Sequence, residues 1–224
     1  GFTHIANNLY IKNNWALGFV EEVMHGTVYK PGGVCPHQCW SETNILHPAI
    51  TGMIGWKPNA MEKSALLAPR FPLHWDTVTV NNLRVGTSVV KFRMERGLNA
   101  TRYQFQLLEG NPVSLPFAPE VPEGMEIREA RLDGIRLNRT FSTDRGLIAK
   151  PIEFSLHRST EVLFNHTKGV GMIPLMPRPQ PGDTSAGYRI IRAGFRDRTY
   201  TIELEGQPGT TASFDMRIFD QGIA

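Results

Sequence analysis

The residues best suited to chemistry lie together between Gly18 and Ser41, in the stretch GFVEEVMHGTVYKPGGVCPHQCWS. Adjacent carboxylates, Glu21 and Glu22, come just before Gly26. A glycine- and proline-rich loop follows (Pro31, Gly32, Gly33), and Cys35-Pro36-His37-Gln38-Cys39-Trp40-Ser41 then reads as the opening of a helix. Carboxylates supply a general acid or base, the imidazole and amide hydrogen-bond a polar ligand, and the indole offers a flat apolar face. One short segment thus holds what a site for a polar ligand needs. Cys35 and Cys39 stand four apart at the helix start, which places both thiols on one face with geometry unfavourable for a disulfide. With His37 alone between them and no second ligand pair, a zinc site is not expected; two small buried thiols are.

Helical elements would have to position this segment. Residues 3–17 carry Ile5, Leu9, Trp15 and Leu17 and read as a helix, broken at Gly18 and Gly26. From Gln38 to Ile54, the residues Ile45, Leu46, Ala49, Ile50, Met53 and Ile54 form a wide stripe of the kind a buried helix carries. Pro36 suits a first helical turn, Pro48 should kink the helix, and Gly52 and Gly55 should end it. Two such helices cannot bury their stripes against each other alone. They call for the rest of a barrel, the domain that follows, or another chain.

From Trp75 the period changes to two. Val90-Phe92-Met94, Tyr103-Phe105-Leu107, Ile152-Phe154-Leu156, Tyr200-Ile202-Leu204 and Phe214-Met216-Ile218 alternate with polar residues, as half-buried antiparallel strands do. Turn signals at Gly97, Gly110-Asn111-Pro112, Asp133-Gly134, Asp144-Arg145-Gly146 and Pro181-Gly182-Asp183 separate them. About eight or nine short strands spaced in this way read as a β-sandwich. Pro112 to Pro122 and Pro174 to Pro181 read as surface loops. The expected division is 1–72 for the helices and 73–224 for the sandwich.

Composition narrows the partners. At 224 residues the chain can bury a sizeable core, and 41% hydrophobic with 20% charged residues is ordinary for a globular protein. A net charge of +3 without a Lys/Arg run offers no nucleic-acid or acidic-membrane surface. No apolar run approaches the roughly 18–20 residues of a membrane helix, and Gly1-Phe2-Thr3-His4 does not resemble a signal peptide. Neither nucleic acid nor a membrane is therefore an expected partner. Sequons occur at Asn99-Ala100-Thr101, Asn138-Arg139-Thr140 and Asn165-His166-Thr167.

Glu22-Val23-Met24-His25-Gly26 and Val34 to Ser41, followed by Gly55-Trp56-Lys57-Pro58-Asn59-Ala60, the Leu66 to Pro72 run and Leu83-Arg84-Val85-Gly86, resemble the end of the catalytic domain in six-hairpin glycosidases. The likeness is greatest to the amylo-1,6-glucosidase (glycogen-debranching) C-terminal family and covers about residues 1–95. It implies an α+β chain: terminal helices of an (α/α)6 barrel followed by an antiparallel β-sandwich. It also implies hydrolysis of a glycosidic bond with inversion, by two carboxyl groups and without metal or organic cofactor. Glu22 takes the position of the general base, with Glu21 beside it. His37 and Gln38 would read sugar hydroxyls, and Trp40 would stack on a sugar face. The acid would lie in the missing N-terminal part of the barrel, so this chain alone should be inactive. His25 departs from the family, which has an acidic residue there. The competing expectation is a non-catalytic β-sandwich that binds carbohydrate or serves as a structural accessory. A flat apolar face without a cleft would mark the structural case.

Overall fold

The computed structural model describes residues 23, 25, 28, 30, 32, 33, 35, 39–144, 146–175, 182 and 188–219. The chain divides into two compact units, Gly1–Met53 with Pro174–Asp215, and Ile54–Ile173 with Met216–Ala224.

The second unit is built from strands in two principal sheets. In chain order its first eight strands are β1 (Trp56–Asn59), β2 (Ser64–Leu67), β3 (Thr77–Val85), β4 (Ser88–Arg96), β5 (Ala100–Glu109), β6 (Val113–Phe117), β7 (Glu126–Leu132) and β8 (Ile135–Arg136). Then follow β9 (Thr143–Asp144), β10 (Leu147–Ile148), β11 (Ile152–Leu156), β12 (Ser159–Thr167) and β13 (Val170–Pro174). One sheet runs β1-β2-β6-β11 and the other β3-β4-β5-β12-β7-β8. Both turn their apolar alternation inward: Val90, Phe92 and Met94 of β4, Tyr103 and Phe105 of β5, and Val113, Leu115 and Phe117 of β6 are all buried. Phe117 meets Tyr103 and Phe105 edge-on at 4.9 and 5.0 Å, and Phe105 meets Phe154 at 5.0 Å, so rings from the two sheets interlock.

Turns follow the backbone's steric demands. Asp133 and Gly134 join β7 to β8 with φ of 49° and 80°, as a two-residue hairpin turn requires. Gly110 has φ of 87°, and a Cβ there would lie 2.5 Å from Ser88 Cα. Ser88 Oγ closes the same corner, donating to Asn111 O at 2.8 Å and accepting from Asn111 N–H at 3.0 Å.

The first unit contains α1 (Cys39–His47), which passes at Pro48 into a π-helical stretch, Pro48–Ile54. Proline lacks the N–H that would continue the α ladder, and the register widens from there. Its hairpin pairs β14 (Tyr188–Arg196) with β15 (Thr199–Gly206) across Asp197 and Arg198, both at positive φ. The last strand, β16 (Phe214–Ile218), lies mostly in the second unit, from Met216 on, and pairs with β13.

Five expectations need correction. The terminal helices of an (α/α)6 barrel are not found: α1 is the single α-helix among the described residues, which are otherwise mainly strand. Residues 56–67, assigned above to barrel helices, are β1 and β2, with Pro58 tolerated because β1 lies at a sheet edge. The stripe expected to be buried is not, for Leu46 is 57% and Ile50 44% exposed; the change from α to π register breaks the 3.6-residue repeat that would keep it on one face. The sandwich is not wholly antiparallel either. The chain leaves β2, forms β3 to β5 in the other sheet, and returns at β6 parallel to β2, as a crossover connection permits. Pro112 to Pro122, expected as a loop, holds β6.

Candidate functional site

Of the proposed site residues, Glu21, Glu22, His37 and Gln38 lie outside the described residues, as does the proposed helix over 3–17. Between the two pairs, the described residues are joined by hydrogen bonds. Gly32 N–H donates to Val23 O at 2.9 Å and His25 N–H to Lys30 O at 3.0 Å. Val28 N–H donates to His25 Nδ1 at 3.2 Å, which requires that nitrogen to be unprotonated. A Cβ at position 32 would fall 2.7 Å from Val23 O, so the close pairing needs glycine. His25, where the resemblance leads one to expect an acid, thus secures the turn.

Trp40 stands in the first turn of α1 and is 59% exposed, free of any core role. Its carbonyl accepts a hydrogen bond from Thr43 Oγ1 at 2.8 Å. Cys35 and Cys39 are exposed free thiols, contrary to the buried pair expected. Among the described residues the helix runs from Cys39 to His47. Among the described residues no three His, Cys, Asp or Glu side chains are grouped to hold a metal.

Sequence reasoning missed a buried polar cluster in the sandwich unit. Arg96 ends β4 buried, its backbone N–H on Asp76 O at 2.7 Å and Nη1 on Pro72 O at 3.1 Å. Arg217 of β16 bonds Asp76 Oδ1 at 2.5 Å and Leu73 O at 2.6 Å, and lies 4.8 Å from the Phe219 ring centre. These contacts fasten the last strand to the 72–76 loop. Burial pushes the Tyr103 hydroxyl up to about 12, against the pull of Arg96. Burial also raises Glu120, with Arg70 and Arg96 opposing. Arg70 sits 3.5 Å from that carboxylate. His166, 2% exposed, is pushed down to about 4 by burial and then by Arg96, with the Ala100 backbone opposing. It is therefore neutral, with Nε2 3.0 Å from Thr101 Oγ1 and Nδ1 without a hydrogen-bond partner.

The sequons were the only sequence signal near this cluster, and structure sorts them. Thr101 is buried on His166, and Asn165 Nδ2 donates to Glu129 Oε2 at 3.1 Å, so both serve the sandwich. Asn138 and Thr140 are exposed instead, beside an open groove of about 260 Å³ on β7, β8 and the 137–141 loop. Arg128, Glu129, Arg136 and Arg139 also line it. The groove holds one carboxylate, and hydrogen bonds from Arg131 and then Asn165 keep Glu129 below the usual carboxylate range. Two carboxyls facing each other across a glycosidic bond are not found there.

No family model and no curated protein matches this sequence. Solved structures similar to it include an alpha-L-rhamnosidase from Dictyoglumus thermophilum, at 10% identity and a TM-score of 0.42 over 59% of this chain and 14% of that one. Another is Ara127N-Se, a GH127 beta-L-arabinofuranosidase from Geobacillus Stearothermophilus T6, at 11% identity and a TM-score of 0.34 over 82% of this chain and 33% of that one. A third is a glycoside hydrolase, at 12% identity and a TM-score of 0.29 over 66% and 32%. This chain spans a third or less of the length of each. All three neighbours are glycoside hydrolases.

Proposed function

We propose that this chain is the β-sandwich part of a glycoside hydrolase and that Glu22 is the general base of a site whose acid carboxyl comes from outside the chain. The observation that carries this reading is the segment 18–41. Its motifs resemble the amylo-1,6-glucosidase family in order, and the residues directly after Glu22 close into a turn through the Gly32 to Val23 and His25 to Lys30 hydrogen bonds. In an inverting hydrolysis the base takes a proton from water as its oxygen attacks the anomeric carbon. The acid, about 6.5–9.5 Å away, protonates the departing oxygen. Glu21, His37 and Gln38 would hydrogen-bond the sugar, and the exposed Trp40 indole would stack on its face.

A base without its acid does not turn over. The purified 224-residue chain should therefore leave aryl glycosides intact, whereas Glu22→Gln in the parent enzyme should lower kcat by about 10²–10⁴-fold. Hydrolysis by the chain alone, abolished by Glu22→Gln, would overturn the divided site. An unchanged kcat in the parent enzyme would instead favour the second reading, a non-catalytic accessory sandwich. The six-stranded sheet favours that alternative, since its outer face displays ion pairs such as Arg93–Glu95 at 2.6 Å and Arg102–Glu161 at 3.4 Å.

A further inference from the structure

We propose that the groove on β7 and β8 binds a uronate, an acidic sugar unit, with Arg136 receiving its carboxylate. A volume of about 260 Å³ falls just below the ~300–1,000 Å³ of sites for drug-sized ligands, which suits one sugar ring better than a chain.

The groove's charges are unevenly committed. Glu129 accepts from Arg131 at 3.0 Å and from Asn165 at 3.1 Å. Arg139 donates to Pro151 O at 3.0 Å and to Lys150 O, and lies 4.6 Å over the Phe141 ring. Arg128 is held by Thr167 and Glu126, each at 3.0 Å. Arg136 differs: its nearest anion is Glu129 at 4.0 Å, already bonded twice, and its side chain is 72% exposed. A guanidinium fork with open donors matches a carboxylate in two parallel hydrogen bonds.

Hydroxyl-reading groups stand beside it. Asn138 and Thr140 are exposed, and their side chains take no part in the groove's internal bonds. Together they offer an amide and a hydroxyl, which suit the donor and acceptor pattern of a sugar edge. The loop that carries them is set in advance by Leu137 N–H on Ala130 O at 2.8 Å and Arg139 N–H on Leu137 O at 3.0 Å. Phe141 already carries Arg139 and meets Phe164 at 5.5 Å, so the ring offers little open face for stacking. Binding must then come from charge and hydrogen bonds, and a neutral sugar would leave the arginine excess unmatched.

The saccharide part of this assignment rests on the hydrolase reading above; the carboxylate part rests on the groove alone. The test is calorimetric titration of the purified chain with methyl glucuronoside, methyl glucoside and acetate. Methyl glucuronoside should bind about tenfold more tightly than either of the others, weaken as salt rises, and lose about tenfold in affinity in Arg136→Gln, as expected for one charge-assisted pair. Because Arg136 is exposed, that variant should melt with the wild type. Equal binding of glucoside and glucuronoside, or an unchanged Arg136→Gln, overturns the carboxylate assignment. Acetate binding as tightly as glucuronoside overturns the sugar assignment. Neither result depends on Glu22, whose own test is loss of turnover.

Discussion

Phe117 of β6 is fully buried and meets Phe92, Tyr103 and Phe105 at ring separations of 6.2, 4.9 and 5.0 Å. Trp40 and Leu46 of α1 are equally apolar, yet 59% and 57% exposed. The contrast shows what an apolar pattern does and does not specify. In the sandwich, period two puts alternate residues on one face, and a facing sheet supplies partners for each of them. In α1 the stripe offers an apolar surface, but the Pro48 change of register spreads its residues and leaves Leu46 and Ile50 exposed. A pattern becomes a core only where backbone geometry keeps it in phase.

The sharpest way to break this contrast is Phe117→Ala. Emptying a ring-filled interior should cost about 3–5 kcal/mol, read as a lower urea midpoint at constant m-value. A loss under about 1 kcal/mol would mean that the rings do not interlock as described.

The next effect is a pH dependence confined to the sandwich. Folded His166 titrates near 4 against an ordinary 6.5, so as pH falls the unfolded chain takes up the proton first. Stability present above about pH 6.5 should drop by about 2–3 kcal/mol between pH 6.5 and 4, beyond what the carboxylates contribute. His166→Gln lacks that proton and should show a shallower fall over the same range when both proteins are unfolded in urea. Parallel curves would remove His166 from the account.

Gly55, just before β1, gives a smaller loss. It has φ of 70°, and a Cβ there would lie 2.0 Å from Ala68 O, whose residue donates its N–H to Gly55 O at 3.0 Å. Gly55→Ala should cost about 2 kcal/mol, part left-handed strain and part displacement of that pairing. A melting temperature equal to wild type would refute the close approach.

Much of the sandwich was legible because contrast between neighbours is what sequence displays. Val90-Phe92-Met94 between Lys91, Arg93 and Glu95 announced β4, and Asp133-Gly134 announced the β7–β8 turn. β6 was hidden by Pro112 and Pro116, although Val113, Leu115 and Phe117 alternate correctly; the prolines spoke more loudly than the period. β12 was hidden because Leu163 and Asn165 blur the alternation of Val162, Phe164 and His166. In β16 the phase was misread. Met216 and Ile218 are exposed, while Arg217 and Phe219 point to the buried polar cluster, because an arginine that must reach Asp76 and Leu73 reads as a surface residue in sequence. The groove was visible only as a turn and a sequon, since Glu129 is also held by Asn165 of β12 and Arg139 by carbonyls of the 150–151 loop, neither of which the local pattern displays.

The smallest effect falls at Trp40, where the comparison began. An indole that is 59% exposed has little packing to lose, so Trp40→Ala should change stability by less than about 0.5 kcal/mol. The same substitution removes the flat apolar face that would hold a sugar ring in the proposed site. Stacking of this kind acts on binding rather than on folding. The expected outcome is an unchanged urea midpoint together with a raised KM in the parent enzyme. If instead the midpoint falls as it does for Phe117→Ala, Trp40 belongs to a core, and the division between a packed sandwich and a displayed helix is wrong.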